Sequence, residues 1–343
     1  MALFSRRGTG GDTTPAASDP VEAPEASEGP GASEAPAESV PQVGISISTF
    51  GQGPESARPL ADEEPSAALP VTPRAAEAPP EVTQSVPGLP DNVLLQHALR
   101  ALPADPEPPH IMNVMRQAMQ GQLYVRAQGD AQELLAAGRG LNLAITTFQD
   151  KRFLLVFSGG ESVQASAQAE SSGQTSALGQ AAYNVLRTAI DSGYDGIYLD
   201  HTNEGARLVL PIELVTKAVE QGAPAPFELK NILVRARSEG TVGDVAEILT
   251  RVPVWVAGNR DAEGRIGLAE ARGDGGIRRL EVYSHPLEVI AMGRGDGPLP
   301  LTPEQLGRTL ASEPGLTGIV VDPAGPWIEL DRDALAPVLA LAG

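Results

Sequence analysis

Eight residues past the middle of the chain return near its end. Gly193-Tyr194-Asp195-Gly196-Ile197-Tyr198-Leu199-Asp200 is answered by Gly315-Leu316-Thr317-Gly318-Ile319-Val320-Val321-Asp322. After each passage come a turn, a short apolar strand and an amphipathic helix. Two copies of one pattern in 343 residues constrain the fold more than any other feature, because each copy must bury its own apolar strand against its own helices. The expected fold class is α+β: two tandem copies of a small, mostly antiparallel sheet covered by helices on one face, preceded by a disordered tail. The expected boundaries are 1–90 for the tail, 91–222 for the first module and 227–343 for the second.

The tail boundary comes from composition. Residues 1–90 hold 15 of the 31 prolines and two aromatics, Phe4 and Phe50. Their 13 acids against four arginines leave a net charge of −9. Such a stretch buries too little apolar surface to offset the entropy of ordering it. One island interrupts it: Val43, Ile45 and Ile47 alternate with small residues up to Phe50. That period-2 pattern suits a linear motif that adds a strand to a sheet edge.

Within the modules, helices are expected from Asn92 to Leu102, capped by Asp91, from about His110 to Gln120, over 131–138 and from Ala177 to Asp191. Pro211 opens another to Gln221. Strands are expected at Leu123–Val125, Leu141–Thr147, Phe153–Phe157 and Ala206–Leu210. Ser158 is expected to open a short helix, with a surface loop after it up to residue 177. The second half runs in the same order. Helix Val242–Arg251, strand Val254–Val256, hairpin Ile266–Ala271 with Arg278–Tyr283, a helix opened by Ser284, helix Pro303–Ala311, the repeated passage, strand Trp327–Leu330 and a last helix capped by Asp331 follow in turn. The loop Asp200–Gly205 is two residues longer than Asp322–Gly325. Two residues is a length a turn absorbs without exchanging the faces of the next strand.

The aromatic-ended hairpins, the serine after each, and Gly-Leu-Thr-Gly-Ile-Val-Val-Asp-Pro-Ala-Gly-Pro at 315–326 together resemble the SseB-type domain. That family is named after the bacterial enhanced serine sensitivity protein. The resemblance spans about residues 120–343 and departs from the family pattern at His201, which stands where the turn proline is expected. It implies bacterial α+β domains, often in tandem in actinobacteria, and supplies no catalytic residue to carry over.

Composition removes several functions. The chain has no cysteine, so disulfides, thiolate metal sites and cysteine nucleophiles are excluded. Its net charge of −19 disfavours nucleic acid and an anionic membrane surface. No run approaches the ~18 apolar residues of a membrane helix, and no secretory signal is expected after Arg6-Arg7. A cytoplasmic location follows as an expectation. His97, His110, His201 and His285 lack the spacing of a metal site, and no cofactor motif sits in a strand-to-helix context.

Gly196 and Gly318 are expected to serve the backbone where helix meets strand, often with positive φ. Asp200 and Asp322 are expected to close Asx turns on their own N–H groups. Glu204 is a candidate partner carboxylate for Asp200, with His201 a solvated turn residue. Trp327, whose counterpart is Arg207, is the candidate surface aromatic. With no nucleophile, base and orienter at a readable spacing, the expected role is a non-enzymatic protein-interaction or regulatory module with a protein or peptide partner. The rival expectation is a small-molecule sensor or hydrolytic enzyme with its site between the modules, near Asp200, His201 and Glu204.

Overall fold

The computed structural model describes residues 75–170, 174–222, 227–260 and 266–343. The motif Val43, Ile45, Ile47 and Phe50 and the tail up to residue 74 lie outside them. The first half comprises α1 (Val93–Arg100), α2 (Pro108–Ala118), β1 (Gln122–Gln128), α3 (Ala131–Ala136), β2 (Ile145–Phe148), β3 (Lys151–Phe157), α4 (Gly160–Ala169), β4 (Thr175–Ala181), α5 (Ala182–Asp191), β5 (Gly196–Leu199), β6 (Leu208–Pro211) and α6 (Ile212–Gln221). The second comprises α7 (Glu228–Leu233), α8 (Thr241–Leu249), β7 (Val254–Arg260), β8 (Ile266–Leu268), β9 (Glu270–Arg272), β10 (Arg278–Tyr283), α9 (Pro286–Ala291), β11 (Gly297–Leu301), α10 (Pro303–Ser312), β12 (Gly318–Val321), β13 (Ile328–Asp331) and α11 (Ala336–Leu339).

The fold is α+β with two mixed sheets. The first has the order β4-β1-β3-β5-β6, with β2 also on β3; the second has the order β11-β7-β10-β12-β13, with β8 on β7 and β9 on β10. Only the pairs β3–β5 and β10–β12 are parallel among the described strands. The register of the glycine-led hairpins agrees: Ile197 faces Leu210 and Leu199 faces Leu208, as Ile319 faces Leu330 and Val321 faces Ile328. The two extra residues of the first loop are therefore absorbed in the turn.

Side-chain alternation along the strands explains the layers. Leu123, Val125, Leu154, Val156, Ile197 and Leu199 face α1, α2, α5 and α6, forming one core with Leu95, Met115, Leu186 and Val215. Val254, Val256, Leu280, Val282, Ile319 and Val321 do the same with α7, α8, α10 and α11. Helices cover both faces of each sheet and not the one face expected. On the reverse face, α4 lays Val163 over Tyr124, Leu155 and Phe157, and α9 lays Val289 over Ala257 and Tyr283.

Other expectations are corrected. Residues 175–181 form edge strand β4, paired along its length with β1, and not loop or helix. Gly297–Leu301 forms edge strand β11 on β7. Its two prolines suit an edge, where a missing N–H is tolerated. Asn92, not Asp91, caps α1, accepting from Leu95 N at 3.2 Å. Asp91 instead accepts from Thr83 Oγ1 and Ser85 N. Packed residues extend back at least to Ala75, ahead of the expected start near 91: Trp327 Nε1 donates to the Ala75 carbonyl at 2.9 Å and Arg237 Nη2 to that of Glu77. Asp331 ends β13 and pairs with Arg279 at 2.9 Å; Leu335 occupies the cap position of α11.

Neither Gly196 nor Gly318 has positive φ. Close approach explains them: a Cβ at Gly196 would lie 2.5 Å from the Leu210 carbonyl oxygen, and one at Gly318 would collide with that of Leu330. Gly318→Ala should therefore destabilise the protein by about 1–3 kcal/mol through overpacking. Gly243→Ala, in the exposed first turn of α8 with open space around it, should stabilise by about 0.5–1 kcal/mol. Chemical denaturation of the two variants reads both signs.

Candidate functional site

Each parallel strand pair ends in one arrangement. Asp200 follows β5 and Asp322 follows β12, both in left-handed backbone (φ 44° and 49°) and both buried. Neither carboxylate closes an Asx turn. Asp200 accepts from Ser158 N at 2.9 Å and Ser158 Oγ at 2.5 Å; Asp322 accepts from Ser284 N at 2.7 Å and Ser284 Oγ at 2.5 Å. Each aspartate thus ties its loop to the end of the neighbouring parallel strand. The serines expected to cap helices are spent on this bond. Gly159 stands at the cap of α4, and His285 caps α9 through Nδ1, which accepts from Leu287 N at 3.1 Å.

The second arrangement sits where the halves meet. Glu288 of α9 is 1% exposed and lies between Arg116 of α2, at 2.7 Å, and Lys230 of α7, which it also contacts. Arg116 donates further to the Gly325 carbonyl at 3.3 Å. Because Nδ1 of His285 is an acceptor, its proton sits on Nε2, which donates to the Ala218 carbonyl of α6 at 3.0 Å. Gly121 N donates to Asn231 at 3.1 Å. Leu287 and Phe227 insert into the first core, so charged and apolar contacts together bind the halves.

Electrostatics follow burial. Burial pushes Asp322 well above the usual carboxylate range, helped by Glu288. Burial works against ionised Glu288 too, but the Arg116 and Lys230 charges prevail and hold it below that range. Burial pushes Asp200 up, opposed by its Ser158 bonds, and pushes His285 down to about 4.

The Asp200 loop is not between the halves. Its polar cavity of ≈ 390 Å³ is lined by Gln96, Arg100, Ser158, Ser162, Asp200 and Asn203, among other residues of the first half. Glu204 is exposed and outside this lining. His201 is half-buried against Phe157 and Tyr198, with ring centroids 5.8 and 5.9 Å away, so it is no solvated turn residue; burial lowers its pKa. Trp327 is half-buried and lines a second cleft, of ≈ 630 Å³, against the reverse face of the second sheet. Met112 and Arg116 of α2, Leu287 and Ile290 of α9, Val320 and Ala75 also line it. Glu281, Tyr283 and Arg294 form a bonded cluster at this cleft, in which Arg294 Nη2 reaches Tyr283 Oη at 2.8 Å. Sequence reading missed both Glu288 with its two cations and this cluster. The shared signal was a charged residue inside an otherwise apolar strand or helix start.

Removing the Glu288 charge leaves two buried cations unpaired. Glu288→Gln should cost about 3–5 kcal/mol in unfolding free energy, and joint replacement of Arg116, Lys230 and Glu288 by methionine far less. The unfolded chain protonates His285 near pH 6.5, the native one only near 4. Stability therefore falls as pH drops through that window. His285→Asn, which keeps an acceptor for Leu287 N, should flatten that slope in a pH series of melting curves.

The family model described as SseB protein N-terminal domain matches residues 95–215, from within α1 to within α6. No curated protein and no solved structure matches the chain significantly. That match spans the first core, its strand-end aspartate and the glycine-led hairpin, so this segment is similar to the SseB N-terminal domain.

Proposed function

We propose that both halves are SseB-type modules and that the pair acts in the cytoplasm as a non-enzymatic protein-interaction module. The supporting observation is the ≈ 630 Å³ cleft between α2, α9 and the reverse face of the second sheet. Its walls are apolar, from Met112, Leu287, Ile290, Met292, Val320 and Trp327, and Arg294 and Glu281 supply polar groups at its side. Such a combination suits an apolar side chain of a peptide flanked by polar backbone. Ile290 is 45% exposed there, so a partner would bury surface now in water. The strand-end aspartates support a structural over a catalytic role, since each ties its loop to a serine of its own module. Among the described residues no helix is long and apolar enough to cross a membrane.

A photoreactive residue at position 290 should cross-link a discrete partner in native extract, and one at exposed Leu135, far along the first half, should not. Ile290→Asp should reduce co-purification of that partner at least tenfold, the size expected of a central apolar anchor. Equal recovery with and without the charge, or the same cross-links at both positions, would refute the reading.

A further inference from the structure

The cavity beside Asp200 has a filled counterpart in the second half. Phe157 opposes Tyr124 as Tyr283 opposes Trp255. Ser158 therefore corresponds to Ser284 and, four residues on, Ser162 to Glu288. Leu95 and Leu99 of α1 enter the first core as Leu229 and Leu233 of α7 enter the second, so Gln96 corresponds to Lys230. In the second half the Lys230 ammonium and the Glu288 carboxylate meet next to Asp322. In the first half, neutral Gln96 and shorter Ser162 stand in those places, and ≈ 390 Å³ is open over a buried aspartate.

We propose that this cavity receives a primary ammonium group from outside the module, seated over Asp200 where Gln96 and Ser162 leave room that Lys230 and Glu288 fill in the second half. Burial of the Asp200 carboxylate is costly; the Ser158 and Ser162 hydrogen bonds and the Arg100 charge offset only part of that cost, and an arriving cation offsets more of it. Among the described residues Asp200 makes no ion pair. The guanidinium of Arg100 reaches instead to Gln96 Oε1, at 3.0 Å. Of the charged groups lining the cavity, Asp200 and Glu161 are acidic and the Arg100 guanidinium is held by Gln96, while Leu99, Ala165 and Ala206 offer apolar wall to an alkyl stem. A free alkylamine and a lysine side chain of another protein share this chemistry. The cavity is distinct from the cleft at Trp327, so the proposal stands apart from the peptide-binding reading.

The test is an NMR titration of the full chain with n-butylamine, with Nα-acetyl-lysine-N-methylamide and with the same compound acetylated on Nε. The first two, or the first alone, should shift the amides of Ser158, Ser162 and Asn203 saturably, and the neutral Nε-acetyl form should bind at least tenfold more weakly. Binding of butylamine alone assigns a free amine; binding of both admits a protein lysine. Gln96→Lys supplies an internal ammonium. It should raise the melting temperature and abolish the titration, and it carries the test if Asp200→Asn does not fold. Where Asp200→Asn folds, it should weaken binding at least tenfold. The proposal is overturned by equal binding of the Nε-acetyl form, by undiminished binding to Gln96→Lys, or by the absence of a saturable shift with either amine.

Discussion

The Glu288 carboxylate sits out of water between the guanidinium of Arg116 and the ammonium of Lys230, and this contact decides how the halves meet. Desolvating three charges is expensive, and the cost is recovered only where all three arrive together. Arg116 comes from α2 of the first half, Lys230 and Glu288 from the second. A shifted or rotated docking would strand at least one of them. Leu287, one residue before Glu288, supplies the apolar part by entering the neighbouring core. The ion triad gives the interface its specificity of geometry, and the leucine contributes the hydrophobic burial.

Around that contact the halves share one strand order and differ in what they place on it. The serine–aspartate bond is kept at the end of both parallel strand pairs. What surrounds it differs: one aspartate lies beside the interface charges, the other under an open polar cavity. The aromatic pair across the reverse face is also kept in type, Tyr124 with Phe157 and Trp255 with Tyr283. The first pair lies under α4, and the second borders the Glu281–Arg294 cluster.

Much of the architecture was legible because local pattern and tertiary demand agreed. The glycine-led hairpins, the turn at Gln149-Asp150 with positive φ at both residues, and strand β10 all carry their own signals. Strands β4 and β11 do not. Their Ser, Gly, Gln and Pro content reads as loop, and only the ladders on β1 and β7 make them extended. The site was less legible, since its partners are distant in sequence: 42 and 38 residues for the two serine–aspartate pairs, 172 for Arg116 with Glu288. The repeat held a usable signal. A serine after the central strand and an aspartate after the glycine-led strand recur together, which marks a pair and not two independent turns. At Gly196 and Gly318 a neighbouring carbonyl, not positive φ, requires glycine.

Trp327 holds the Ala75 carbonyl across 252 residues of sequence. On a ribosome the amino-terminal side of that bond is made long before its donor exists. The segment around Ala75 must wait, unanchored at this end, until nearly all of the second half has been synthesised and folded. Closure of so long a loop belongs to the slow end of folding steps. The seam along Trp327 therefore cannot seal before residue 327 has been made.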